Sequence, residues 1–64
     1  MEYTNSQITE LIDEHIHNAK YREILKLRFV DGMTYDKIAE RQDMSVRQTK
    51  NIVYKSFDKL SKYL

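Results

Sequence analysis

TYDKIAERQDMSVRQTK, residues 34–50, decides the fold of this chain. It reads as two short helices joined by a tight turn. Thr34 is a good N-cap for a helix over Tyr35 to about Gln42, and Asp36 falls in its first turn, where the positive end of the helix dipole favours an acid. Tyr35, Ile38 and Ala39 are its inward residues. The small Ala39 predicts a close helix crossing, because only a small side chain lets two backbones approach. Asp43-Met44-Ser45 is the turn. Aspartate tolerates left-handed geometry better than most residues, Met44 plugs the gap between the helices, and Ser45 with Gln48 three residues on forms a capping box for the next helix.

That helix runs from Val46 to about Lys62. Thr49, Ile52, Val53, Ser56, Phe57 and Leu60 recur on one stripe, while Arg47, Gln48, Lys50, Asn51, Tyr54, Lys55 and Asp58 occupy the remaining circumference. Polar side chains able to hydrogen-bond base edges therefore crowd its first two turns.

Ile8, Leu11, Ile12 and Ile16 form one apolar stripe and predict a helix from Ser6 to about His17. Thr4, Asn5 or Ser6 caps it, and Glu10, Asp13 and Glu14 place acid mostly toward its N-terminal half. Asn18 caps a second helix, Ala19 to about Val30. Tyr21, Ile24, Leu25 and Phe29 share one stripe of it, and Leu27 and Val30 lie off that stripe, so this helix is contacted on more than one side and is the hub of the core. Asp31-Gly32 stops it, because glycine takes the left-handed conformation that closes a helix without steric cost.

The chain has 64 residues, no cysteine, no proline, one glycine and 41% hydrophobic residues. That composition predicts one all-α domain over residues 1–64, with scaffold helices at about 6–17 and 19–30 and a helix-turn-helix at about 35–42 and 46–62. So short a chain leaves no room for a large enclosed active site. No apolar run is long enough to span a membrane and no signal pattern opens the chain, while the lack of cysteine suits the reducing cytoplasm, the compartment expected here.

Catalytic patterns are missing too. His15 and His17 are two apart and point to different faces, whereas a helical metal pair needs a spacing of three or four, so both read as surface histidines. Asp13 and Glu14 read as surface acids, and no phosphate loop or nucleophile-base pair exists. The chain is expected to be no enzyme and to carry no cofactor or metal. Its charge is asymmetric: residues 1–44 hold six Lys/Arg and nine Asp/Glu, net −3, whereas residues 45–64 hold five Lys/Arg against Asp58 alone, net +4. The acidic remainder disfavours gripping an anion by any face except the last helix.

Tyr21 to Leu60 resembles region 4 of bacterial sigma factors, the helix-turn-helix domain that reads the −35 promoter element. YREILKLRFVDGMTYDKIAE carries an Arg-Glu, a Leu-x-Leu-Arg-Phe, a Gly-x-Thr and an Ile-Ala in the family's order, and DMSVRQTKNIVYKSFDKL follows. The resemblance implies a four-helix helix-turn-helix fold, with the 46–62 helix entering the major groove by its N-terminal end while Thr34 to Arg41 lies across the backbone. The DNA-binding residues it implies are Thr34, Tyr35, Arg47, Gln48, Lys50, Asn51 and Lys55. Among them Arg47 suits a bidentate contact to guanine, Gln48 or Asn51 one to adenine, and Lys50 and Lys55 phosphates. Gln42, where the family usually has an apolar residue, and Thr49, where it usually has Ile or Val, depart from the pattern.

The chain has no room for sigma region 2, so it reads as a free-standing region-4-like transcription regulator, of the kind found in phages and mobile elements, or as a fragment of something longer. Double-stranded DNA is the expected partner. Alternatives are a protein-interaction module that mimics region 4 to bind RNA polymerase or an anti-sigma factor, and the DNA-binding part of a phage packaging protein. Tyr21 and Tyr35 read as core. Tyr54, off the last helix's stripe, and Tyr63 and Leu64, at its end, are the candidate surface for a homodimer.

Overall fold

The computed structural model describes residues 3–64 as four helices: α1 (Asn5–His15), α2 (Ala19–Phe29), α3 (Tyr35–Arg41) and α4 (Val46–Leu60), the last running into a 3-10 turn, Ser61–Tyr63. Each start is written locally in the sequence. Thr4 and Gln7 form a reciprocal capping box on α1, in which Thr4 Oγ1 accepts from the Gln7 N–H and Gln7 Oε1 accepts from the Thr4 N–H. Asn18 Oδ1 accepts from both the Lys20 and Tyr21 N–H groups, and Thr34 Oγ1 from that of Lys37. Ser45 and Gln48 repeat the capping box on α4. These partners satisfy donors that a helix start otherwise leaves orphaned.

Helix ends depend on residues farther away. α1 stops at His15, two residues before its expected end, because Ile16 turns extended (φ −106°, ψ 112°) and Arg22 Nη1 donates to both the Ile16 and His17 carbonyls at 2.9 Å. None of Glu10, Asp13 and Glu14 falls in the first turn of α1, so they do not serve its dipole; Asp13 instead pairs with Lys26 of α2 at 2.6 Å. At the end of α2 the Met33 N–H donates to Leu27 O, and Gly32 takes the positive φ of 71° that this return requires. Asp43, at φ 54°, makes the turn between α3 and α4, with the Met44 N–H donating to Ala39 O.

All four helices feed one core: Ile12 and Ile16 from α1 and its cap, Ile24, Leu25 and Leu27 from α2, Ile38 and Ala39 from α3, Val53 and Leu60 from α4. α2 touches each of the other three helices. Its stripe is rotated from the expected one. Leu27 is buried, because the Gly32 turn folds α3 back onto α2, whereas Tyr21 and Phe29 remain 38% and 37% exposed near the helix ends. Tyr21 is therefore not a core residue; it lines an open cleft together with the buried Ser56. Tyr35 is half-buried against the core.

The two departures at Gln42 and Thr49 are accommodated differently. Gln42 is half-buried and its Nε2 donates to Glu23 Oε2 at 3.1 Å, tying α3 to α2. Thr49 is fully buried, and its hydroxyl donates back to Ser45 O at 3.0 Å, so no buried polar atom is stranded.

Candidate nucleic-acid interface

The helix-turn-helix presents the N-terminal half of α4 to solvent. Thr49 and Val53 anchor its inner face, so Arg47, Gln48, Lys50 and Asn51 must point outward or sideways, and all four are exposed. Arg47 and Asn51, four apart, share one stripe. Lys50 lies to one side of it, toward α3, and Gln48 and Lys55 lie to the other, toward the start of α2. Gln48 is partly committed, because its Oε1 accepts the Ser45 N–H at 3.2 Å and leaves its Nε2 outward.

On the α3 side the structure joins residues that are distant in sequence. The Arg28 guanidinium sits 4.4 Å from the centroid of the Tyr35 ring, Lys50 Nζ 5.7 Å from it, and the Tyr54 ring meets it edge-on at 6.3 Å. Both cations are within reach of the ring's negative face, which biases Lys50 toward the start of α3, where exposed Thr34 adjoins Tyr35. Arg28 also donates to Met33 O at 2.9 Å, so it fixes the loop that delivers Thr34 and Tyr35. Arg28 and Tyr54 belong to this cluster without having been expected in it. Periodicity places residues on a helix face and does not reveal which faces of three helices converge.

Of the expected site residues, Thr34, Tyr35 and Lys50 come together at one edge. Arg47 and Asn51 form the outward stripe, and Gln48 and Lys55 the other edge. The proposed dimer residues do not converge. Tyr54 packs on Tyr35, Tyr63 stacks on His15 with centroids 3.5 Å apart, and Leu64, whose carbonyl accepts from the Tyr3 hydroxyl, lines a different groove. His15 is consequently half-buried, while His17 is exposed. Among the described residues no group of three His, Asp or Glu side chains is placed to hold a metal ion, and no helix is long and apolar enough to cross a membrane.

A second surface opens at the far end of α4. Phe29 and Phe57, with ring centroids 5.6 Å apart, border an apolar groove of about 230 Å³ walled by Ile8 and Leu11 of α1 and by Leu60 and Leu64. Phe57, expected in the core, is 43% exposed there.

A family model described as sigma-70, region 4 matches residues 18–60, from the cap of α2 to the last residue of α4, and leaves α1 outside. Neither the curated proteins nor the solved structures contain a match to the chain.

Proposed function

The chain belongs to the sigma-70 region 4 family of DNA-binding helix-turn-helix domains, and from that premise we propose that it is a sequence-specific, duplex-DNA-binding transcription regulator. It is a single domain that acts in the cytoplasm by laying the first two turns of α4 in the major groove. The observation that carries this reading is the exposed set Arg47, Gln48, Lys50 and Asn51 on a helix start whose opposite face is locked into the core by Thr49 and Val53. Arg47 and Asn51 would meet base edges, while Lys50, Lys55 and the Thr34–Tyr35 edge would hold phosphates.

Selection of bound sequences from a random duplex pool tests the proposal directly. A single enriched motif is expected, with affinity that falls steeply with salt. Lys50→Ala should weaken binding on all sequences, and Arg47→Ala should in addition relax the preference at one base pair, by about 1–3 kcal/mol. No enrichment, together with salt-independent or absent duplex binding, would sink it.

The apolar groove supports a second reading, in which the domain mimics region 4 toward RNA polymerase or an anti-sigma factor. Exposed Phe29 and Phe57 are the residues such a partner would cover. Under this reading Phe57→Ala abolishes retention of polymerase and leaves duplex affinity unchanged.

A further inference from the structure

Behind the outward stripe of α4, on the side away from Tyr35, lies an open cleft of about 370 Å³ lined by His17, Tyr21, Lys55, Ser56 and Lys59. Ser56, small and buried, lines it together with Tyr21. Tyr21 also lines a second depression along Lys20, Gln48 and Asn51, so the two hollows share its ring at the edge of the recognition turn. No acid lines either hollow, and among the described residues Lys55 and Lys59 enter no ion pair.

We propose that this cleft is a second DNA-backbone contact, taking phosphates of the strand across the major groove from the one flanked by Thr34, Tyr35 and Lys50. The inference rests on the DNA-binding reading above and extends its footprint. At 3.6 residues per turn, Lys55 and Lys59 lie about 140° and 180° around α4 from Lys50. A helix with its side chains is about 10–12 Å across and the major groove about 12 Å wide, so a seated helix has a phosphate backbone along each flank. Lys50 serves one flank and Lys55 with Lys59 the other. Tyr21, exposed and lining the same cleft, offers a neutral hydroxyl donor, and His17 adds a further ring nitrogen. An acidic peptide offers the same charge, but Tyr21 lies between this cleft and the depression along Gln48 and Asn51, which favours the ligand that those residues face.

The test compares single-charge deletions on a mixed-sequence duplex, by fluorescence anisotropy across a KCl series. Lys59→Ala should weaken binding about 3- to 10-fold at low salt and flatten the log–log salt slope by about 0.9, the signature of one lost phosphate. Lys26→Ala removes the same charge from a site paired with Asp13 of α1 and should leave the slope unchanged. Tyr21→Phe should weaken binding about twofold with no change in slope, as befits an uncharged donor. Lys59 is exposed, so circular dichroism should report an intact fold.

Equal slopes for Lys59→Ala and the wild type overturn the proposal. If Lys50→Ala flattens the slope and Lys59→Ala does not, the second contact fails and the DNA-binding reading stands. If the wild-type chain itself binds duplex without salt dependence, that reading fails first. Loss of poly-glutamate binding by Lys59→Ala, with duplex binding untouched, assigns the cleft to an acidic protein segment and also overturns the proposal.

Discussion

Thr49 occupies a fully buried position on α4, where its hydroxyl is held by Ser45 O, a carbonyl that already accepts the Thr49 N–H at 3.0 Å. Removing the hydroxyl strands no acceptor, so Thr49→Val should raise stability by about 0.5–1 kcal/mol, read as a higher urea midpoint at unchanged slope. Asp43 is the opposite case. Its φ of 54° suits a residue that tolerates left-handed geometry, so Asp43→Val should cost about 1–2 kcal/mol whereas Asp43→Gly should cost none. The turn was legible in the sequence from Asp43 itself, and the inward position of Thr49 from the apolar stripe it shares. Tyr21 was not: its angular position on α2 points inward, yet it is exposed on a cleft whose other wall comes from α4, more than thirty residues away.

The four helix starts were readable because a capping side chain and the backbone N–H that donates to it lie within three residues of each other. The ends were less so, since α1 is cut short by the guanidinium of Arg22 on the next helix. Two of these starts carry the same reciprocal box, which permits a controlled comparison. Thr4→Ala and Ser45→Ala should each cost about 1 kcal/mol in thermal or urea unfolding. Only Ser45→Ala frays the turn that presents Arg47 and Gln48, so it alone should lower duplex affinity, several-fold, in a titration at constant salt. The outward face of α4 followed from periodicity. The cluster of Tyr35 with Arg28, Lys50 and Tyr54 did not, because it draws on three helices and no local pattern registers their crossing.

At the scale of the molecule, the segment that matches the family lacks α1, yet α1 and its cap supply Ile12 and Ile16, both buried. Each such side chain is worth about 2–5 kcal/mol, against a total stability of only about 5 for so small a domain. A fragment of residues 18–64 should therefore be largely unfolded by circular dichroism and bind duplex only weakly. α4 runs uninterrupted from the exposed turn of Arg47 and Asn51 to Phe57 and Leu60 on the apolar groove, fixing the two surfaces about 15 Å apart along one helix. If the proposed functions of both surfaces hold, a protein seated in that groove is kept over the DNA site at an effective concentration set by a rigid spacer, and its recruitment by tethering needs no change in the shape of the domain.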